Sequence, residues 1–103
     1  MAEALGLLEG CTRRLVGGDL SSPDERNAAA VDYLRLFALV CFGWVWLRMT
    51  LAAPRRDDGT DHGRRIVATA RFFAERVLPQ ARGLAAQIGA GAGAIMAPDA
   101  DWF

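Results

Sequence analysis

The stretch LRLFALVCFGWVWLRM, Leu34 to Met49, decides the fold of this chain. Between Arg35 and Arg48 lie twelve residues without a charge, among them two phenylalanines and two tryptophans. A helix that spans a membrane needs about 20 predominantly apolar residues. Because this run is shorter and has an arginine at each end, it predicts the central helix of a protein bundle and no membrane span.

The length and charge of the chain limit the classes of function that it supports. A chain of 103 residues is one small domain, and its twelve basic residues balance its twelve acidic residues. A balanced charge gives no electrostatic reason to expect nucleic acid or anionic lipid as a partner. All twelve basic residues are arginine, which is typical of a GC-rich genome. The less favoured alternative is forked recognition of phosphate or carboxylate groups.

The two cysteines and the first residues indicate the cellular compartment. Cys11 and Cys41 lie on different predicted helices, and neither belongs to a metal-binding or redox pair. We therefore predict two buried free thiols in a reducing environment. The N-terminus has its acidic residues before its arginines, which is the reverse of a secretory signal. We expect a cytoplasmic protein.

Apolar periodicity divides the chain into three helices, at about residues 2–16, 23–53 and 61–88. Short polar breaks separate them, and no stretch alternates with the period of a strand. The predicted fold is all-α: an up-and-down bundle of three long helices, with room for one further short helix at the C-terminus. We predict that residues 1–103 form a single helical domain, either a bare three-helix bundle or a part completed by helices from elsewhere.

Local signals mark where these helices begin and bend. Ser22 is a good N-cap, Pro23 suits the first helical position, and Glu25 completes a capping box. Pro79 lies inside the third predicted helix, where it removes a backbone donor and crowds the preceding turn. We predict a kink just before it, from Glu75 to Leu78.

The second helix carries apolar side chains on both sides. At 100° per residue, the predicted core stripe consists of Tyr33, Phe37, Val40, Cys41, Trp44 and Leu51. Leu39, Phe42 and Trp46 project on the opposite side, where a surface helix would carry polar residues. Phe72 of the third helix also points away from its own apolar stripe. We predict that Leu39, Phe42, Trp46 and Phe72 form a partner interface, although the first helix is an alternative cover for part of it.

Arg48 lies near this predicted core stripe. We favour an arrangement in which its aliphatic stem packs while the guanidinium reaches water. The alternative is a buried ion pair with a carboxylate such as Glu75.

Few residues suggest catalysis or metal binding. The single histidine, His62, lies in an acidic loop with Asp57, Asp58 and Asp61, and we interpret this loop as a solvated helix start. The glycine-rich run 89–94 follows a helix, whereas phosphate-binding glycine loops follow a strand. Cys41 has no activating base nearby in the sequence. We assign no catalytic, cofactor-binding or metal-ligating residue.

Two segments resemble a known family. They are YLRLFALVCFGWVWLRM, Tyr33 to Met49, and ATARFFAERVLPQARGLAAQI, Ala68 to Ile88, followed by an AIMAPDADWF end. With their Gly-x-x-Trp and Ala-Arg-Phe-Phe-Ala-Glu motifs, they are similar to the C-terminal helical domain of a subgroup of acyl-CoA dehydrogenases. The resemblance covers nearly the whole chain.

The resemblance implies a flavoenzyme context. Acyl-CoA dehydrogenases bind FAD and oxidise the α,β bond of an acyl thioester, with a glutamate as base, but those parts lie upstream of this domain. The resemblance therefore implies FAD in the parent enzyme and none bound by this chain alone. The implied partner is an acyl-CoA dehydrogenase catalytic body, in the same or a separate chain, with a homo-oligomer also compatible. The alternative is a free-standing helical interaction protein that self-associates through the same aromatic residues.

Overall fold

The central element is α2, a single helix of 30 residues, Pro23–Ala52, in a computed structural model that describes residues 1–53 and 61–103. At 1.5 Å per residue it is about 45 Å long. Ser22 caps it, because the backbone N–H of Glu25 donates to Ser22 Oγ at 3.4 Å, and Pro23 follows at the first helical position.

The remaining elements are also helical, and the described residues contain no strand. In chain order they are α1 (Ala2–Gly17), α3 (His62–Phe72), a π-helical turn (Phe73–Val77), α4 (Gln80–Gly89), α5 (Gly93–Met96) and a 3-10 turn (Ala100–Trp102). The described part of the chain is therefore all-helical, and its arrangement is compatible with an up-and-down bundle.

The predicted third helix is interrupted before Pro79. The N–H of Leu78 donates to the carbonyl oxygen of Phe73 at 2.8 Å, five residues back, so this turn is wider than an α-helical turn. Proline cannot donate a backbone hydrogen bond, and α4 begins at the next residue, Gln80. The π-helical turn overlaps the predicted kink at Glu75 to Leu78, and the single helix predicted for residues 61–88 is divided into α3, this turn and α4.

The chain on either side of α2 runs antiparallel to it. On the return side, Gly63 lies beside Ala53, and Ala92 hydrogen-bonds to Glu25 at the other end of α2. At the start of the chain, the end of α1 meets the beginning of α2, where Arg26 Nε donates to the carbonyl oxygen of Leu15 at 2.9 Å. Since α1 reaches only as far as Gly43, the C-terminal half of α2 packs against α3 and the π-helical turn.

The core lies where α1, α2 and α4 meet. Its largest fully buried side chains are Leu36 of α2 and Ile88 of α4. The other buried members of this cluster are Ala4, Leu8, Cys11, Leu20, Ala29, Val40 and Ala81. Leu7, Leu15, Tyr33, Leu39, Leu78, Leu84 and Ala85 pack against them.

The buried side of α2 differs from the predicted core stripe. Val40 is buried and Tyr33 packs against the core, as expected. The prediction was wrong for the other members of the stripe, since Phe37, Trp44 and Leu51 are 48%, 52% and 66% exposed and Cys41 is also exposed.

Close packing explains this difference. A Cβ at Gly43 would lie 3.0 Å from Met1 Sδ and 3.5 Å from Leu78 Cδ1. The inner face of α2 therefore uses small residues such as Ala29 and Gly43, so that neighbouring elements can approach closely. Phe37, Phe42 and Trp44 are left on the outside.

Two exposed ion pairs fix the ends of α1. The carboxylate of Glu3 accepts hydrogen bonds from Arg82 of α4, and Asp19 accepts from Arg14 at 2.7 and 2.8 Å. These guanidinium groups hold the pKa of both carboxylates below their ordinary values. The pairs therefore favour the folded state at neutral pH, and their contribution is lost as the pH falls through the lowered pKa values.

The C-terminal segment is fastened to the start of α2. Gly91 has a φ of 75°, a left-handed conformation that suits glycine and ends α4. The carboxylate of Glu25 accepts a hydrogen bond from the backbone N–H of the next residue, Ala92, at 2.8 Å. Glu25 thus connects the start of α2 to the C-terminal segment, across 67 residues of sequence.

The first prediction concerns the core. Leu36→Ala should lower the free energy of unfolding by about 2–5 kcal/mol, because Leu36 is fully buried and its truncation leaves a cavity. Leu51→Ala is the matched control. Leu51 lies on the same helix, outside the apolar patch described below, and is 66% exposed, so its truncation should cost less than about 0.5 kcal/mol. Urea denaturation followed by circular dichroism measures both, and equal effects would contradict this orientation of α2.

The second prediction concerns the anchored C-terminus. Glu25→Ala should cost about 1–3 kcal/mol, because it removes a charged acceptor from a partly buried backbone N–H. Glu25→Gln keeps an acceptor oxygen and should retain part of that stability. Hydrogen exchange at the Ala92 amide reports the contact directly. Unchanged protection of this amide in Glu25→Ala would show that the bond does not form in solution.

Candidate interface surface

The side of α2 opposite the core is a continuous apolar surface. We call it the outer face of α2, and it consists of Val31, Leu34, Phe37, Cys41, Phe42, Trp44 and Val45. All seven side chains are exposed. Half of the large apolar side chains that are exposed in the described part of the chain lie on α2. Scattered apolar residues are normal on a protein surface, but a contiguous aromatic patch marks a contact site.

A second apolar feature lies next to the N-terminus of α1. A groove of about 340 Å³, lined in part by Met1, lies between the C-terminal half of α2 and the chain from α3 to the π-helical turn. Its lining includes Trp46, Leu47 and Thr50 of α2, together with Val67, Ala70 and Phe73. The hydroxyl oxygen of Thr50 is buried there without a hydrogen-bond partner among the described residues.

The four predicted interface residues occupy three different environments. Leu39 packs against the core, and Trp46 is half-buried in the groove. Phe42 and Phe72 are 57% and 61% exposed. Phe42 belongs to the outer face of α2, and Phe72 lies on the neighbouring α3. The sequence did not distinguish the outer-face residues Leu34 and Val45, because every side of α2 is apolar.

The side chain of Arg48 lies on the surface of α2. Arg48 is exposed, and its guanidinium carbon lies 4.9 Å from the centroid of the Trp44 ring. The prediction of a buried ion pair between Arg48 and Glu75 is therefore wrong, and Glu75 instead accepts a hydrogen bond from Arg71 at 2.9 Å.

The two cysteines differ in exposure. Cys11 is buried, which raises the pKa of its thiol, whereas the prediction of burial was wrong for Cys41. An exposed thiol among aromatic residues agrees with a surface that meets another molecule.

The molecule has more surface than its mass requires. Its accessible area is 7456 Å². A compact monomer of 11.1 kDa would expose roughly 5,700 Å². The extents of 66 × 30 × 15 Å and the radius of gyration of 18.2 Å describe a long, flat body. A globular domain of this length has a radius of gyration of about 13 Å.

No metal-binding cluster of three or more His, Cys, Asp or Glu side chains occurs in residues 1–53 and 61–103. Asp57 and Asp58 of the acidic loop lie outside those ranges. The glycine-rich run does not fit the diphosphate of a flavin nucleotide. The Ala92 N–H already donates to Glu25, and a Cβ at Gly91 would lie 2.8 Å from a Glu25 carboxylate oxygen. A carboxylate at this place repels an anionic ligand.

Comparison with known proteins agrees with the helical architecture. The family model described as acetyl-CoA dehydrogenase C-terminal like matches residues 1–99. The chain belongs to this family. No curated protein and no solved structure matches it. Since the match extends over α1 to α5, the domain as a whole carries the resemblance that its two aromatic segments indicated.

The apolar character of α2 also satisfies the length and composition of a membrane span. Among the described residues one such helix is found, Pro23–Ala52, and 22% of its most apolar window is buried in the chain. The central helix of a soluble bundle satisfies the same criteria. The low buried share of this window, 22%, shows how much of the apolar surface of α2 the chain itself leaves uncovered.

The third prediction concerns the hydroxyl group of Thr50. Thr50→Val should raise the free energy of unfolding by about 1 kcal/mol, because it replaces an unpaired buried hydroxyl with a methyl group. Thr12→Val is the matched control. The Thr12 hydroxyl contacts the carbonyl oxygen of Leu8 and the Tyr33 hydroxyl, both at 2.7 Å, so its loss should cost about 1 kcal/mol. Denaturation midpoints compare the two variants. A loss of stability in Thr50→Val would mean that its hydroxyl has a partner.

Proposed function

We propose that this chain is the C-terminal helical accessory domain of an FAD-dependent acyl-CoA dehydrogenase. In this proposal it docks on the flavin-bearing catalytic body and stabilises that body or its oligomer. It contributes no catalytic residue of its own. The family match over residues 1–99 is the observation that carries the proposal.

The shape of the domain supports docking on a larger protein. A single domain that folds for itself buries its apolar side chains, whereas this chain leaves bulky aromatic residues exposed on α2 and α3. Its flat body presents these residues over a large area. Aromatic side chains of this kind are favoured anchors at protein interfaces.

The proposed contact with the catalytic body includes Phe42, Trp46 and Phe72, with Leu39 beneath them. Gly43 lies next to Leu78, and Ala53 lies next to Gly63, so α3 and the π-helical segment run alongside the C-terminal half of α2. Measured along the axis of α2, Phe72 therefore lies at a position close to that of Trp46. An apolar ridge of a catalytic body would bury these rings and fill the groove beside the N-terminus of α1.

The fourth prediction tests this docking. The probe is the FAD-loaded catalytic body of an acyl-CoA dehydrogenase from the same source, expressed without a helical domain of this family. When the two proteins are mixed, we expect this chain to co-elute with the flavin absorbance in gel filtration. Phe72→Asp should weaken the binding by roughly tenfold or more, because it places a charge in the contact.

Val16→Asp is the control, because Val16 is 70% exposed at the far end of α1. It should bind like the unchanged chain. Failure of every such body to co-elute would contradict the proposal. Flavin that purifies with this chain alone would also contradict it, because the proposal assigns the flavin to the body.

A further inference from the structure

The outer face of α2 needs an occupant of its own. Its central residues, Leu34, Cys41 and Val45, lie on the side of α2 away from α1, α3 and α4. Trp46 lines the groove beside α3, and Phe72 is the last residue of α3. The proposed contact with a catalytic body therefore does not require this face to be covered. Phe42 is at the border between the two surfaces.

The amount of excess surface fits a stable pair of chains. The chain exposes roughly 1,800 Å² more than a compact monomer of its mass would. Obligate dimers bury about 2,000–5,000 Å² in total, or about half of that from each chain. One symmetric contact would therefore bring the exposed surface into the range of ordinary proteins.

The charges on the molecule are divided along its length. Residues 33–53 and 61–78, at one end, carry six arginines and two acidic residues, a net charge of +4. Residues 1–32 and 79–103, at the other end, carry four arginines and eight acidic residues, a net charge of −4. An antiparallel neighbour of the same kind places each positive end beside a negative end. A parallel neighbour would place like charges together.

The geometry of α2 fixes where a two-fold axis would lie. Complete overlap of two antiparallel α2 helices places the axis at the midpoint of Pro23–Ala52, next to Ala38. Ala38 is a small, half-buried residue among larger exposed ones, so two helices can approach closely there. With this axis, Leu34 meets Phe42 of the second copy. Arg48 then lies about one helical turn from the second copy's Asp24.

We propose that the outer face of α2 binds the same face of a second copy of this chain. The two α2 helices run antiparallel, with a two-fold axis at Ala38. This inference does not rest on docking to a dehydrogenase body: a chain that binds no such body would still pair, and a chain that docks could still be monomeric.

The fifth prediction is the mass in solution. Light scattering on the purified chain should give twice the monomer mass of 11.1 kDa. Leu34→Asp and Val45→Asp should each weaken pairing by roughly a hundredfold or more, because each charge enters a symmetric contact twice. Both side chains are exposed in the single chain, at 68% and 44%, so the variants should fold. Circular dichroism checks this, and Val16→Asp is the variant that should stay dimeric.

Two further readouts test the antiparallel arrangement. In a Cys41→Ser background, Ala38→Cys should be captured as a dimer by a short thiol cross-linker, whereas Val16→Cys should not. Arg48→Glu and Asp24→Arg should each weaken pairing severalfold. The double variant should recover it, because the two residues lie within about one helical turn of each other across the contact and their charges are exchanged.

Several results would overturn the proposal. One is a folded monomer at all concentrations from micromolar to millimolar. Another is a dimer that Leu34→Asp and Val45→Asp leave intact, because that dimer would use a different surface. Cross-linking through Val16→Cys, or a chain that pairs only in the presence of lipid vesicles, would also contradict it.

Discussion

The structure depends on one constraint: α2 is apolar on every side, and the rest of the chain covers only one of them. Leu36 is fully buried against α1 and α4, whereas Leu34, two residues away, is 68% exposed. Burial of apolar area is the main favourable term in folding, so an uncovered apolar rod has a high free energy in water. Either the chain pairs with another protein, or this surface remains a source of aggregation.

The distribution of side-chain sizes on α2 supports the proposal that its uncovered side contacts another protein. Small residues such as Ala29 and Gly43 face the neighbouring helices, where close approach is needed. Phe37, Phe42 and Trp44 face outward, although a chain that functioned alone would gain stability by burying them. The guanidinium of Arg48 also lies over the ring of Trp44, so a positive charge borders the apolar side chains of the outer face. Such a combination is typical of protein interfaces.

Much of the helical framework could be predicted from sequence, because it depends on local chemistry. Ser22 and Pro23 define the start of α2, and Pro79 interrupts the third predicted helix. The inner face of α2 could not be predicted, because a helix that is apolar all round has no periodicity that selects a side. The aromatic residues suggested a core around Trp44, whereas the residues of α2 that are buried are Ala29, Leu36, Val40 and Gly43. The bond from Ala92 to Glu25 was also missed, since it joins residues that are far apart in sequence.

Hydroxyl-radical footprinting with mass spectrometry tests directly whether protein covers the outer face of α2. Phe37 and Trp44 are about half exposed in the single chain, and Trp102 and Phe103 are exposed internal references at 73% and 95%. We expect Phe37 and Trp44 to be protected from oxidation at high protein concentration and to become reactive on dilution, while Trp102 reacts throughout. Oxidation of Phe37 and Trp44 at a rate that does not change with concentration would show a bare surface and contradict the account.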